Sequence, residues 1–338
     1  MWRILRARLV PLDDRHPSLT SAVPACEQLS CKQGQRCGLP LLRNVGATFE
    51  RKIPECIFLE IFFMQRTIKA AFGLAGGALL AMVTLQGQAS AAGQKLTCMI
   101  ILNANSGEVI AKEGEICDKR NSPASTFKVP LALMGFESGI LKDSHNPSWP
   151  YKEGYPAWRE SWKQSVDPTY WEDQSVVWFS QELTRKLGKE KFQEYTDQLN
   201  YGNRDLSGDP GKNNGMLRSW ISSSLTISPN EQADFLMKMV NNKLPFSEAA
   251  MTKTMAILPS HKLSNGWTAH GKTGSAFETG PKGKPDRRRQ FGWYVGWAEK
   301  GDEKVVFVRL NRNMLAHNAG MGPVTRDEQW SILEKTLK

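Results

Sequence analysis

Segments with strand character lie at both ends of the larger, C-terminal part of the chain. Residues 94–103 alternate apolar with polar side chains, and a turn leads them into a second strand at 108–112. Three further alternating stretches follow Trp267, and Gly301 and Asp302 join the last two as a hairpin. Since helical segments lie between the two ends, this order predicts an α+β fold. An antiparallel sheet formed from N- and C-terminal segments is flanked by helices and carries an inserted helical lobe.

Capping signals locate two of the helices. Ser228 and Glu231 have the spacing of a capping box, with a proline at the first helical position between them. Thr325 and Glu328 have the same spacing, so we expect the final helix to begin near Thr325.

These elements are predicted to form one domain. We place it at residues 92–338, with a sheet region at about 94–121 and 264–338 and a helical lobe at about 122–263. With 40% hydrophobic and 23% charged residues, the composition is that of an ordinary globular protein.

The residues before this domain follow the order of an export signal. A basic start precedes an apolar run at 70–85, and small residues end the segment at 89–91. We interpret 64–91 as a signal peptide that directs the mature chain to the periplasm, with a retained N-terminal anchor as the alternative. Residues 1–63 show no sustained helical or strand period, so we interpret them as an upstream extension outside the natural protein.

The formal net charge of +10 is concentrated in two places. Residues 1–91 contain eleven Lys and Arg against six Asp and Glu, and residues 281–290 read P-K-G-K-P-D-R-R-R-Q. Because no nucleic-acid-binding signature accompanies the second stretch, we interpret it as a solvated loop rather than a nucleic-acid patch. Nucleic acid is therefore not an expected partner.

Cysteine and histidine spacing disfavours a metal site. The five histidines show neither H-x-H nor H-E-x-x-H spacing, and the four cysteines before residue 64 lack a C-x2-C pair. Cys98 and Cys117 remain in the predicted mature chain. In an exported protein they could form a disulfide or stay as two separate thiols, and the sequence leaves both open.

A serine and a lysine stand one turn apart at the opening of a predicted helix, in N-S-P-A-S-T-F-K-V-P. With Ser122 as N-cap and Pro123 at the first helical position, Ser125 lies in the first turn, where free backbone N–H groups favour negative charge. Lys128 lies at i+3 on the same face. The pair suits a nucleophile and its base, but a helix-start hydroxyl with a solvated lysine gives the same pattern.

Further motifs accompany this S-T-F-K. A predicted strand carries K-T-G at Lys272, a helix begins at S-V-V from Ser175, Y-G-N from Tyr201 follows another helix, and F-G-W from Phe291 lies on a strand. In identity and order, the five motifs resemble the class D β-lactamases, the oxacillinase type of the penicillin-recognising serine enzymes. The resemblance covers the chain from about Leu96 to its C-terminus and implies the β-lactamase/transpeptidase-like fold.

The resemblance implies hydrolysis of β-lactam antibiotics, and resistance to them, through a serine acyl-enzyme. Ser125 matches the nucleophile. Lys128 matches a lysine that carries a carbamate (N6-carboxylysine) made from carbon dioxide and acts as general base for acylation and deacylation. Ser175 and Lys272 match residues that pass a proton to the departing lactam nitrogen. Beyond carbon dioxide or bicarbonate, no cofactor and no metal is implied.

The resemblance also concerns the pocket around the lysine. Trp220 matches the tryptophan that hydrogen-bonds the carbamate, although a core tryptophan is the alternative. Val177 and Ile221 are expected to form a gate over the carbamate pocket. Only a neutral amine attacks carbon dioxide, so apolar neighbours such as Phe127 are expected to disfavour the ammonium form.

Other matches concern the substrate. Thr273 is expected to hydrogen-bond the substrate carboxylate, and Arg326 approximately matches a carboxylate-binding arginine, with a solvated surface arginine as the alternative. The backbone N–H groups of Ser125 and Ser275 match the oxyanion hole.

Two other segments are expected to shape the site. Tyr201 and Asn203 are expected to support the site rather than to perform chemistry. The stretch from Phe277 to Gln290 is predicted to be a long loop at the border of the site that influences substrate range.

Two rival functions share part of these motifs. A penicillin-sensing receptor domain stays acylated, but such domains follow several membrane spans, and a penicillin-binding transpeptidase normally carries S-x-N where Ser175-Val176-Val177 stands. The expected partner is a small-molecule β-lactam, with no membrane association after signal cleavage, and the protein is expected to be a monomer or a homodimer.

Overall fold

Both ends of the described chain form one antiparallel sheet. The computed structural model describes residues 94–280 and 284–338, all of which belong to one compact unit. The strands are β1 (Leu96–Asn103), β2 (Val109–Glu113), β3 (Ser260–Lys262), β4 (Thr268–Thr279), β5 (Pro285–Lys300) and β6 (Glu303–Leu315). Their order across the sheet is β2-β1-β6-β5-β4-β3, and every neighbouring pair is antiparallel. The predicted α+β fold is confirmed, although β3 begins before the predicted sheet boundary near residue 264.

Helices cover both faces of this sheet. Those of the described chain are α1 (Lys128–Glu137), α2 (Pro168–Gln174), α3 (Val177–Leu187), α4 (Lys189–Gln198), α5 (Gly215–Arg218), α6 (Pro229–Val240), α7 (Glu248–Ala256) and α8 (Met321–Thr336). Helix α8 packs on β4, β5 and β6, whereas α6 packs on β1, β5 and β6. Side chains alternate accordingly, since Tyr294 joins the core beneath α8 while Trp293 and Val295 join the core of the helical lobe.

Within residues 94–280 and 284–338, no helix is both long enough and apolar enough to cross a membrane. The predicted signal peptide at 64–91, the extension at 1–63 and the start of the domain at residue 92 lie outside the described residues.

Of the three predicted helix starts, the one at Ser228 agrees with the structure, whereas those at Thr325 and Ser122 differ from it. Ser228 and Glu231 form the expected capping box. The final helix begins at Met321 rather than near Thr325, because the Thr325 hydroxyl is buried and accepts a hydrogen bond from Asn311 of β6. The Thr325 side chain therefore joins the helix to the sheet instead of capping it.

Ser122 does not cap the helix that follows it. A 3-10 turn over Ala124–Phe127 precedes α1, and Pro123 occupies the cap position. The Ser122 hydroxyl instead donates to the carbonyl oxygen of Trp220 at 2.8 Å and accepts from the backbone N–H of Ser222 at 2.9 Å. Ser122 therefore fastens the Trp220 segment to the start of the helix.

The predicted loop at 277–290 is wrong, because β4 continues to Thr279 and β5 begins at Pro285. Phe277 pairs with Gln290 and Glu278 pairs with Asp286, so residues 287–289 bulge out of the ladder with β4. The Arg312 guanidinium binds Glu278 at 2.6 Å, which ties the hairpin to β6. Partners on distant strands thus satisfy polar groups that, in the sequence alone, are typical of a loop.

Cys98 and Cys117 form a disulfide, which decides between the two states that the sequence leaves open. It links β1 to the segment that follows β2 and closes a loop with a sequence separation of 19. Such a loop restricts the unfolded chain and stabilises the native state by about 3 kcal/mol.

We expect reductant to lower the free energy of unfolding by about 2–3 kcal/mol. Urea denaturation with and without reductant measures this change, and a Cys98→Ser/Cys117→Ser variant is the control, because reductant has no disulfide to break in it. Equal midpoints for the wild-type protein under both conditions would show that the bridge does not contribute.

Candidate active site

Ser125 and Lys128 meet at the start of α1. Lys128 is 1% exposed, and its Nζ lies 3.3 Å from Ser125 Oγ. Ser125 follows Ala124, whose φ of 49° is unusual for a residue with a Cβ and sets the direction of the turn. Because α1 is buried from Lys128 to Phe136, the lysine cannot turn toward solvent as an ordinary helix-surface lysine does.

Lys272 and Ser175 form a second pair. Lys272 lies on β4, is 2% exposed and donates from Nζ to Ser175 Oγ at 3.1 Å. Ser175 ends α2 in the left-handed region, with φ 59°. That backbone conformation is energetically costly for serine. It occurs at the junction of α2 and α3, where the Ser175 hydroxyl faces Lys272 of β4.

Burial is the main influence on the charge of both lysines. It lowers the pKa of Lys128 to about 7, and the positive charge of Lys272 acts in the same direction, whereas Glu172 opposes them. Burial also lowers the pKa of Lys272 to about 8, against the carboxylates of Glu172 and Asp173. A substantial fraction of Lys128 is therefore a neutral amine near pH 7, and a neutral amine can accept the proton of Ser125.

Glu172 belongs to the same group of buried ionisable side chains, and the sequence did not predict it. It is 0% exposed, and burial raises its pKa to about 7 against the charges of Lys272 and Lys128. Glu172 lies three residues before Ser175, a spacing that places two side chains on one face of a helix. This spacing is the feature of the sequence from which Glu172 could have been predicted as a site residue. A single glutamate in a short helix is usually exposed, so the sequence pattern favours a solvent-exposed Glu172 side chain.

The aromatic and aliphatic side chains predicted to line the lysine pocket belong to the core of the helical lobe. Trp220 is buried and stacks on Phe127 with ring centroids 5.5 Å apart. Val177 is 3% exposed at the start of α3, and Ile221 is partly buried in the core of the lobe. The predicted hydrogen bond of Trp220 to a carbamate and the predicted gate remain predictions.

Tyr201 and Asn203 hold the segment that carries Trp220. Asn203 donates to the Ser224 carbonyl at 2.8 Å and accepts from the Thr226 N–H at 2.9 Å. The buried ring of Tyr201 packs edge-on against Phe127 at 5.4 Å. These contacts hold the segment in place, and the expectation that neither residue performs chemistry stays a prediction.

The edge of β4 lies directly beside Ser125. A Cβ on Gly274 would approach the Pro123 carbonyl to 2.9 Å, so glycine permits this close contact. The Gly271 N–H bonds to Pro259 on the outer side of β4, and the two-residue period of a strand directs the Ser275 N–H to that same side. The Ser275 hydroxyl accepts from the Gly322 N–H at 2.6 Å, which leaves its backbone N–H as the group that can face a substrate.

Arg326 and Thr273 line one cavity of about 180 Å³ together with Lys272. Arg326 binds Asp327 at 2.8 Å and lies over the Trp330 ring, 4.4 Å from its centroid. The structure therefore brings Arg326, whose side chain is 34% exposed, to the Lys272 side of the site, and its role in binding a carboxylate stays a prediction. A larger cavity of about 810 Å³ lies between α3, α4 and the segment at 204–217, and none of the five motifs lines it.

Comparisons with known proteins agree with this geometry. Residues 97–326 match the family described as penicillin binding protein transpeptidase domain. The chain is 48% identical over 218 residues to β-lactamase OXA-9 from Klebsiella pneumoniae, which is 64% of this chain and 79% of the relative. It is 35% identical over 223 residues to β-lactamase OXA-1 from Escherichia coli, which is 65% of this chain and 78% of the relative.

A solved structure gives the same result for the fold. The crystal structure of the class D β-lactamase OXA-427 has 43% sequence identity and a TM-score of 0.67, and the match covers 71% of this chain and 98% of that structure. The chain therefore belongs to the penicillin-binding transpeptidase-domain family and, within it, to the class D β-lactamases.

Proposed function

We propose that this chain hydrolyses β-lactams through an acyl-enzyme on Ser125, with a carbamate on Lys128 as general base. The observation that carries the proposal is the 3.3 Å distance between the buried Lys128 Nζ and Ser125 Oγ. A neutral amine reacts with carbon dioxide, and a base at this distance reaches the proton of the serine.

The residues around Lys128 fit a carbamate. The lone pair of the neutral Nζ forms a bond to the carbon of carbon dioxide, and one proton leaves the nitrogen. The group supplies an anionic oxygen that accepts a proton. Trp220 can donate an indole N–H to that oxygen, and Phe127, Val177 and Ile221 limit access of water.

The same base serves both halves of the reaction. Ser125 Oγ attacks the lactam carbonyl carbon as its proton passes to the carboxylated Lys128, and the N–H groups of Ser125 and Ser275 stabilise the oxyanion. The lactam C–N bond then breaks, Lys272 supplies a proton to the nitrogen through Ser175, and the proton held at Lys128 returns to Lys272, so the base is free again. Water gives a proton to the base at Lys128 as it attacks the acyl carbon. The bond from that carbon to Ser125 Oγ then breaks, and the same proton passes from Lys128 to Ser125 Oγ.

The cavity beside Lys272 suits an anionic substrate. The Thr273 hydroxyl and the Arg326 guanidinium line it, so we propose that they bind the substrate carboxylate. Trp330 and Asp327 hold the guanidinium in place, which lowers the entropy lost on binding.

We also propose that residues 64–91 direct export of the protein to the periplasm. Sequencing the N-terminus of the mature protein would show whether this segment is removed.

Repeated turnover of a chromogenic β-lactam separates a hydrolase from a sensor or a transpeptidase. We expect the wild-type protein to hydrolyse many equivalents, Ser125→Ala to lose about 10⁴-fold in kcat, and Lys128→Ala to stop at a stable acyl-enzyme seen by intact mass. Lys238→Ala is the control, because this lysine is exposed and pairs with Asp234. A single stoichiometric burst from the wild-type protein would contradict the proposed function.

Turnover is expected to depend on bicarbonate, and more strongly at acid pH. Lys128 has a pKa of about 7, so below that pH the amine gains a proton and the reactive neutral fraction falls about tenfold per pH unit. Added bicarbonate should restore activity to degassed enzyme at pH about 6 by a larger factor than at pH about 8. Equal rates with and without bicarbonate after degassing at low pH would count against the carbamate.

The bulged hairpin between β4 and β5 is expected to influence substrate range, because β4 carries Lys272, Thr273 and Ser275. Deleting residues 287–289 should change the ratio of kcat/KM between bulky and small β-lactams by about threefold or more. Replacing those three arginines by alanine keeps the length and controls for charge. Unchanged ratios across penicillins, cephalosporins and carbapenems would remove the hairpin from specificity.

A further inference from the structure

The mechanism proposed above uses Ser125, Lys128, Ser175 and Lys272 but assigns nothing to Glu172. This side chain is fully buried in α2, and neither of its carboxylate oxygens has a hydrogen-bond partner among the described residues. A buried carboxylate without a partner is costly, so its presence beside two buried lysines calls for a function.

Three buried groups act on one another at this place. Glu172 interacts electrostatically with Lys128 from α1 and with Lys272 from β4, and these are the charged groups that act on it. The exposed Asp173 and Arg159 act on Lys272 from the surface. Neither lysine donates a hydrogen bond to Glu172 in the described chain, so the carboxylate remains available to take up a proton.

The formation of a carbamate creates a charge problem at this location. A neutral Lys128 amine becomes an anion when its Nζ bonds to carbon dioxide, and a second anion at Glu172 would repel it in a medium of low dielectric constant. Two adjacent buried carboxylates normally share a proton, because both cannot ionise at low cost.

We propose that Glu172 accepts the proton that Lys128 releases when it takes up carbon dioxide. The Nζ–C bond forms, one electron pair of carbon dioxide moves onto oxygen, and the N–H proton is transferred to the carboxylate of Glu172. Lys128 changes from neutral to −1 and Glu172 from −1 to neutral, so the two changes cancel. The net charge of the buried group is therefore the same before and after the reaction.

This proposal rests on the carbamate of the proposed function, and Glu172 is a positioning residue that acts through Lys128. Burial raises the pKa of Glu172 to about 7, which leaves this carboxylate able to take up a proton when a new anion forms nearby. The Glu172 charge also raises the pKa of Lys128, so its removal should leave more neutral amine rather than less.

The proton balance gives a test that a structural role for Glu172 would not affect. With Glu172 present, carboxylation of the neutral amine releases no proton to solvent. In Glu172→Gln one proton is released, so the concentration of dissolved carbon dioxide that half-saturates Lys128 should fall about tenfold per pH unit.

The experiment measures the carbamate signal by ¹³C NMR, with ¹³C-bicarbonate added to degassed enzyme between about pH 7.5 and about pH 8.5. For the wild-type enzyme we expect the half-saturating concentration of dissolved carbon dioxide to change by less than about twofold over this range, and for Glu172→Gln to fall about tenfold. Glu190→Gln removes an exposed carboxylate of α4 and should behave as the wild-type enzyme does.

The outcomes distinguish this proposal from the one it rests on. A wild-type enzyme without a carbamate signal would overturn the proposed mechanism, and the role of Glu172 with it. A carbamate signal whose half-saturation falls about tenfold per pH unit in the wild-type enzyme would overturn the role of Glu172 alone.

A second measurement needs no variant, in case Glu172→Gln fails to fold. Infrared difference spectra of the wild-type enzyme should gain the C=O stretch of one protonated carboxyl group when carbon dioxide is added. The absence of that band, with the carbamate present, would also overturn the proposal.

Discussion

The burial of the Lys128 amine is the constraint on which the active site depends. Every residue of α1 from Lys128 to Phe136 is buried, so the helix has no exposed face through which the lysine could reach water. Because an unpaired ammonium is costly there, the pKa of Lys128 falls to about 7. An exposed lysine at the same i+3 spacing would stay protonated and could only donate to Ser125.

One hydroxyl group of the site lies next to a strained backbone position and the other lies on one, and surrounding contacts hold both in place. Ser125 follows a residue with φ 49°, and Ser175 itself has φ 59°. Near Ser125, the Ser122 hydroxyl donates a hydrogen bond to the Trp220 carbonyl oxygen. The Ser175 hydroxyl accepts a hydrogen bond from Lys272 Nζ. Such strain persists where the surrounding structure over-determines the backbone, so the rigid sheet and lobe fix the two oxygens before substrate arrives.

Local patterns predicted the fold class and most of the residues that the structure brings together. The side-chain positions of the S-T-F-K and K-T-G motifs follow from local structure alone. An i+3 spacing on a helix places two side chains on one face, and a strand fixes the direction of each side chain along it. The predictions of Ser122 and Thr325 as helix caps were wrong, because both hydroxyl groups hydrogen-bond to residues on other elements, Trp220 and Asn311. The burial of Glu172 depends on the packing of α1, α2 and β4 together, and its spacing of three residues to Ser175 does not distinguish a buried glutamate from an exposed one.

The most direct test of the central claim is the pKa of Lys128 in carbon-dioxide-free buffer. An NMR titration of protein with ¹⁵N-labelled lysine, assigned through Lys128→Ala, measures it. We expect a midpoint near 7 for Lys128. A Lys128 midpoint close to the ordinary pKa of a lysine side chain, about 10.4, would contradict the claim that burial keeps the amine neutral.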